Sequence, residues 1–330
     1  MAQIKDVARE AGVSVATVSR VLSGHSSVSE TARQRVLTAV QTLDYRPDLA
    51  ARRLRSRRTD TIGLIVSDIR NPFFTEVSRA VEDMAYQNRM RVILCNADED
   101  PEKEALYLDL MRDENVSRVI LSPSLPTLAR FRMSDYPFPV VLVDRCDRDT
   151  TADAVVLDNA DSAYRLTAHL IEQGHRRIAF IYGATSATGC QRHEGYVTAM
   201  ATHGLETLAR AVPAQVEAAR AAAAELAREQ PLPEALVGSN GLILLGLVEA
   251  LRAAQLQFPE QIALAGFDDL PWTRLVEPGI TVIAQPTDDI GRAAIELLLQ
   301  RIAHPSQSVR RVVLRGELRE RGSSRQRSAK

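Results

Sequence analysis

Polar residues close a series of short apolar runs along this 330-residue chain. Asp68 follows IGLIVS, Asn96 follows VILC, Ser122 follows VIL, Asp144-Arg145 follow VVLV, Asn240 follows LVGS, and Asp268-Asp269 follow IALAGF. Where such runs form the strands of an open α/β sheet, ligands bind beyond their carboxyl ends. Carboxylates, amides and a guanidinium converging there suit sugar hydroxyls, because each hydroxyl both donates and accepts a hydrogen bond. Each residue alone is an ordinary polar loop residue; their shared position is what points to a site. A second concentration of chemistry is basic. Arg46, Arg52, Arg53, Arg55, Arg57 and Arg58 surround Leu54, a composition suited to a polyanion.

Catalytic signatures are missing. There is no G-x-S-x-G elbow, Walker A loop, H-E-x-x-H pair or G-x-G-x-x-G after the first apolar run. His169, His175, His203 and His304 fall where surface or helix-end roles suffice; His193, beside Arg192, reads equally well as a ligand contact or a structural residue. The cysteines, Cys95, Cys146 and Cys190, make neither a zinc pattern nor a disulfide framework. The chain reads as a binding protein without cofactor or metal. An enzyme remains a distant alternative, because doubly wound folds host many chemistries.

The elements that position these residues differ along the chain. Helical spacing runs through Ile4, Val7, Ala8 and Ala11, and Gly12 breaks it with a tight turn. Ser14 caps a second helix with Val18, Val21 and Leu22 inward; Ser29 caps a third with Val36, Leu37, Val40 and Leu43 on one face. Three short helices, the first two tightly joined, make a helix-turn-helix. Its second helix offers Val15 and Ala16 to base edges, for thymine methyls, and Arg20 one turn later, for guanine. Thr17, Ser19, Thr31 and Arg33 are placed for phosphates. Pro47 stops the third helix, and Asp48 can cap a short basic one to about Arg55. So short a helix is marginal alone. It suits the minor groove, with Leu54 wedged into a base step, or else a flexible basic linker.

From residue 59 β-branched runs alternate with amphipathic helices. The runs are Ile62–Val66, Val92–Cys95, Val119–Ser122, Val140–Val143 and Ala154–Leu157. A second block follows with Ile178–Tyr182, Leu236–Val237 and Ile262–Phe267, and with helices near 191–202, 215–228 and 242–254. Two such blocks predict two doubly wound parallel α/β subdomains, with strands apolar on both faces. Residues 287–303 predict an amphipathic helix, followed by the strand Val312–Leu314.

The run IKDVAREAGVSVATVSRVLSG, then VSETARQRVLTAVQTLDYRPDLAARRLRS, resembles the head and hinge of the LacI/GalR family without gaps. Ser23 departs from it, standing where many members have Asn. In the body DIRNPFF, VDR, DN, GHRRIAFI, RHEGY, SNGLILLG, GFDD and IAQP resemble the family's sugar-binding core, itself similar to periplasmic sugar-binding proteins. The resemblance implies a homodimer on a near-palindromic operator, with Ala51, Leu54 and Arg55 among the hinge contacts to DNA. It implies that Arg192 clamps ligand hydroxyls, that Asn240 and Asp268 bind hydroxyls, that Gln285 sits at a crossover, and that Phe73 or Phe74 stacks on a sugar face. Gly241 stands where members usually carry Asp, and the stretch between Tyr196 and Leu236 looks trimmed by one peripheral strand. The expected function is a repressor of carbohydrate uptake or catabolism genes, responsive to a sugar such as ribose. The alternative is a purine- or sugar-phosphate-responsive corepressed or dual regulator of the same fold.

The domains expected are a head at 1–45 and a hinge helix at 46–58. A first subdomain takes 59–156 and 286–314, a second takes 157–285 and 315–322, and a disordered tail spans 323–330. Charge divides likewise. Residues 1–58 carry net +6 and the remainder net −7 within an overall −1. No apolar run approaches the roughly 20 residues of a membrane helix. The opening MAQIKDVARE lacks the apolar segment of a secretory signal, so a cytoplasmic, nucleoid-associated location is expected. No leucine heptads mark a C-terminal coil.

Overall fold

The structure, a computed structural model, describes residues 2–22, 27–45 and 60–325. It forms two compact units, Met1–Thr59 and Asp60–Lys330. The predicted hinge contacts Ala51, Leu54 and Arg55, the departure at Ser23 and the last five residues of the tail lie outside the described residues.

The first unit holds α1 (Ile4–Ala11), α2 (Val15–Leu22) and α3 (Glu30–Thr42). Gly12 ends α1 at φ +60°, a conformation that costs any residue with a Cβ. The turn Gly12-Val13-Ser14 then delivers Ser14, whose Oγ accepts from Thr17 N at 3.1 Å and starts α2. Ser29 Oγ accepts from Ala32 N at 3.4 Å and caps α3. Val7, Ala8, Ala11, Val18, Val21, Val36 and Ala39 form the core. Leu37, expected inward, is exposed. Ala39 takes that face instead, while Val40 and Leu43 are only partly covered.

The second unit contains two six-stranded sheets among the described residues. The first has the order β2 (Arg91–Asn96), β1 (Thr61–Val66), β3 (Arg118–Leu121), β4 (Val140–Val143), β5 (Asp153–Leu157) and β11 (Arg311–Leu314), all parallel. Its connections include α4 (Pro72–Gln87), α5 (Pro101–Asp113) and α6 (Leu125–Arg130). The second sheet joins β6 (Ile178–Gly183), β7 (Leu208–Val212), β8 (Ala235–Gly238), β9 (Ala263–Phe267) and β10 (Thr281–Ala284) in parallel, with β12 (Glu317–Arg319) as a short antiparallel edge. Its helices are α7 (Asn159–Glu172), α8 (Ala187–Thr202), α9 (Val216–Leu226), α10 (Gly241–Ala253) and α11 (Pro271–Leu275), and α12 (Thr287–Ala303) returns to the first sheet.

Alternation explains why the strands are apolar throughout. In β1, Ile62, Leu64 and Val66 pack with α4 and α12, whereas Ile65 faces Leu108 and Met111 of α5. In the second sheet α7 and α8 cover one face, α9 and α10 the other. The alanine-rich α9 has a steric reason: a Cβ at Gly246 would lie 2.4 Å from Val216 O, so α9 and α10 touch backbone to backbone. Helix α8 begins earlier than its periodicity indicates, because Ser186 Oγ caps it by accepting from Gly189 N at 3.4 Å.

Two expectations are corrected. The peripheral strand expected to be trimmed is present: β7 pairs with β6 over five residues. It is half-covered, so its pattern is weak. Nor are Ser323 and Ser324 the start of a disordered tail. Both are buried; Ser323 Oγ accepts from Thr281 N (2.9 Å) and Ser324 Oγ lies 2.7 Å from Thr281 Oγ1. Their hydroxyls satisfy polar groups at the base of β10, which makes burying a polar segment affordable.

The chain passes between the sheets after β5, after β10 and after β11. The first and last crossings are tied together, because Gly316 N donates to Asp158 Oδ1 at 3.0 Å and Arg165 Nη2 donates to both Asp158 and Gly316 O. Among the described residues no helix is long and apolar enough to cross a membrane.

Candidate functional site

Two surfaces carry the expected chemistry. On the head, Ala16 and Arg20 are exposed one turn apart on α2, which places them on one face. Val15 is half-buried against the head core, so it has a packing role beside any base contact. Thr17 is half-buried with its hydroxyl 2.9 Å from that of Ser14, and Ser19 is half-buried. Thr31 is exposed; Arg33 is half-buried with its Nε 3.7 Å from the Glu30 carboxylate.

The second surface is a cleft between the two sheets, lined by residues from both. The first sheet contributes Asp68, Asn71, Phe73 and Phe74 after β1, Glu99 after β2, and Asp144 and Arg145 after β4. The second contributes Ser186, Thr188 and Arg192 from the start of α8, Ala214 after β7, Asn240 and Leu242 after β8, and Asp268 after β9. Gln285 stands at the middle crossing.

The two halves share a local design. Asp144 and Asp268 both follow a central strand, and both have positive φ, +68° and +75°. The amide of Asp144 donates to Val155 O and that of Asp268 to Ile283 O, on the neighbouring strands. This backbone kink costs about 1–3 kcal/mol, a strain found mostly at binding and catalytic positions. Asp268 Oδ2 accepts from Gly241 N at 2.7 Å and its Oδ1 accepts from Gln285 Nε2 at 2.6 Å. Gln285 Oε1 is buried with no partner. Asn240 uses Oδ1 to cap α10, accepting from Ile243 N at 2.8 Å. Its amide hydrogens are free of that duty.

Arg192 is buried, with its guanidinium 4.1 Å over the Phe267 ring. Nε donates to Asn159 Oδ1 (2.8 Å) and Nη1 to Ser239 O (2.6 Å). Burial pulls its pKa below the ordinary arginine value, although Asp268 and Asp144 pull the other way. Burial likewise pushes the Asp144 carboxyl up against the opposing pull of Arg145 and Arg192. Burial disfavours the charge on Arg145 too, but the Glu99 and Asp144 carboxylates outweigh it and raise its pKa. Phe73 and Phe74 meet edge to face, 5.0 Å between centroids, and form an apolar wall.

Two expected contacts are braces instead. Asn96 Oδ1 accepts from Ile69 N at 2.9 Å and its Nδ2 donates to Asp98 at 2.7 Å, pinning two loops together. Ser122 is fully buried, its hydroxyl 2.8 Å from that of Ser67. Neither lines the cleft. His193 stacks on Tyr182 at 4.3 Å, a structural role. Asp68 does line the cleft, but its carboxylate is forked by Arg70, with Nε and Nη2 both at 2.9 Å. The residues not anticipated are Asn71, Glu99, Ser186, Thr188, Ala214 and Leu242. Asn71 lies within the recognisable DIRNPFF, whereas Glu99 sits in an acidic loop that gives no signal. Among the described residues no cluster of three or more His, Cys, Asp or Glu is placed to hold a metal ion.

Residues 3–48 match the model of bacterial regulatory proteins of the lacI family, and residues 167–324 match a periplasmic binding protein-like domain. The ribose operon repressor of Halalkalibacterium halodurans is 33% identical over 303 residues, covering 92% of this chain and 91% of that protein. The chain belongs to the LacI family. Two solved structures agree. A LacI family transcriptional regulator from Enterococcus faecium with bound ribose is 26% identical, with a TM-score of 0.72 over 80% of this chain and 98% of that one. The lac repressor dimer bound to operator and the anti-inducer ONPF is 22% identical, with a TM-score of 0.88 over 98% and 99%; it shows the fold. As a LacI-family chain this is a DNA-binding transcriptional regulator, not an enzyme.

Proposed function

We propose that this LacI-family regulator represses genes for uptake or breakdown of a neutral sugar, ribose or a close relative, and releases its operator when the sugar binds. The observation that carries the reading is the convergence of Asp144, Arg192, Asn240 and Asp268 from both sheets beside the Phe73–Phe74 wall. Carboxylates accept from sugar hydroxyls, Arg192 Nη2 and the Asn240 amide donate to them, and an aromatic face covers the apolar side of the ring. The relatives named for ribose support the choice of sugar.

In this reading Val15, Ala16 and Arg20 read base edges, and Thr17, Ser19, Thr31 and Arg33 fix the register on phosphates. Residues 46–58, with Ala51, Leu54 and Arg55, form the second part of the contact. Asp68, Phe73, Phe74, Asp144, Arg145, Arg192, Asn240, Asp268 and Gln285 hold the sugar. A ligand touching both lobes favours their closed arrangement, and the tied crossings transmit that change. A homodimer places two heads on a near-palindromic site. The exposed apolar residues Ile93 and Leu94 on the edge strand β2, with Leu106 and Leu110 on the following helix, support such a partner surface. The protein works in the cytoplasm, on the nucleoid when operator-bound.

The test is calorimetric titration of the full chain with ribose, other neutral sugars and purines. Binding of a purine but no sugar overturns the reading. In parallel, Leu54→Ala is expected to weaken operator binding while sugar affinity is kept; unchanged operator affinity removes Leu54 from the contact.

A further inference from the structure

We propose that Glu99 is a specificity-determining residue: by occupying Arg145 it makes the cleft accept uncharged, hydroxyl-rich ligands and reject their anionic counterparts, sugar phosphates and sugar acids. The inference rests on the sugar-effector reading above. Arg145 is the residue an anion would otherwise seek, since a guanidinium fork matches phosphate and carboxylate oxygens. Here the fork is filled. Nη1 donates to Glu99 Oε2 at 2.7 Å and Nη2 to Glu99 Oε1 at 2.5 Å, while Nη1 also reaches Pro123 O (3.2 Å) and Nε reaches Asp144 Oδ2 (3.2 Å). One of its five N–H groups remains, enough for a hydroxyl oxygen but not for an anion's two-point clasp.

The rest of the cleft does not replace that charge. Its two guanidiniums, Arg145 and Arg192, face the carboxylates of Asp68, Glu99, Asp144 and Asp268. Asp68 is matched by Arg70, whose side chain is largely exposed. Arg192 gives two donors to neutral acceptors and sits within the fields of both Asp268 and Asp144. An incoming anion therefore finds Arg145 already filled; Arg192 alone is left to draw it, against the carboxylates of Glu99, Asp144 and Asp268. A neutral polyol meets acceptors and donors in mixed supply.

The loop is built to deliver Glu99. Asp98 and Glu99 both take left-handed backbone conformations, φ +54° and +59°. Glu99 N donates to Ser67 O at 2.8 Å, and Asp98 is held by Asn96 Nδ2 (2.7 Å) and Lys103 Nζ (2.5 Å). Two successive strained residues, each tied to its surroundings, fix a side chain that no apolar packing requires.

The test is calorimetry on the full chain with D-ribose, D-ribose 5-phosphate and D-ribonate, for the wild type, Glu99→Gln and Glu99→Ala, each checked for folding by thermal denaturation. The wild type is expected to prefer ribose over either anion by about a hundredfold or more. Glu99→Gln has the same size, so a changed ratio reports charge rather than room. It is expected to narrow the preference by about tenfold or more through tighter anion binding, weakened by added salt. Glu99→Ala should act in the same direction. Wild-type binding of the anions as tight as of ribose, or an unchanged ratio in folded variants, overturns the proposal alone. If the wild type binds neither these ligands nor any other neutral sugar, the sugar reading falls and the proposal with it.

Discussion

Arg192 Nε donates to Asn159 Oδ1 at 2.8 Å, so the cleft-lining arginine of α8 holds the first residue of α7. Asn159 comes directly after Asp158, which ties the first crossing to the last. Arg192 is thus fastened to the tied crossings between the sheets. Arg192→Ala should weaken sugar binding by about 2–5 kcal/mol, since it removes a buried charged donor and takes the donor from Asn159 Oδ1 and Ser239 O. Operator binding should persist without sugar. Calorimetry and gel-shift assays on the same preparation check both; a normal induction curve would remove Arg192 from the site. Lysine should not rescue, because it cannot donate in both directions from one plane.

On the head, Arg20→Ala should cost about 1–3 kcal/mol of discrimination at one base pair. The measurement is affinity across a set of single-base operator variants. Equal loss on every operator would make Arg20 a phosphate contact instead.

The backbone at Gly12 offers a separate handle on the head. Gly12→Val forces a β-branched residue to φ +60° and should cost the head about 1–2 kcal/mol or more. Operator binding should fall while sugar affinity in the second unit stays unchanged. A variant that binds operator normally would show that the turn relaxes without cost.

Acid should loosen the C-terminal latch. His169 is buried, with Nε2 2.8 Å from Ser324 Oγ, and burial holds its pKa below the ordinary histidine value although Glu320, 3.7 Å from Nδ1, opposes this. The folded state therefore resists a proton that the unfolded chain accepts near about pH 6.5. The unfolded state binds more protons between the depressed folded value and the ordinary one, so stability is lost as pH falls through that window and is fully present above it. Thermal denaturation between about pH 7.5 and 5.5 should show the loss, and His169→Gln should reduce it. Identical pH slopes in the two proteins would remove His169 from the acid response.

Much of this was legible in the residues. Strands such as Ile62–Val66 and Ile262–Phe267 stood out because helices cover both faces, and the head was marked by Gly12, Ser14 and Ser29 at turn and cap positions. What escaped has physical reasons. LARAV is an edge strand with half-covered side chains, so it lacks the apolar run that marks an interior strand. Position at a strand's end gives neighbourhood but not direction, which is why Asn96 turns to Asp98 and Ser122 to Ser67 while Asp144 and Asp268, kinked at positive φ, line the cleft. Glu99 reaches Arg145 through two left-handed residues in an acidic stretch, and no periodicity encodes that turn. Ser323 and Ser324 look like tail because their burial rests on hydrogen bonds to Thr281, far away in sequence.

The most direct measurement is operator affinity of the full-length protein titrated with ribose. If the cleft and the head are coupled as described, saturating ribose lowers operator affinity by about 5–150-fold, and operator lowers ribose affinity by the same factor. Ribose that binds in the cleft yet leaves operator affinity unchanged would contradict the account.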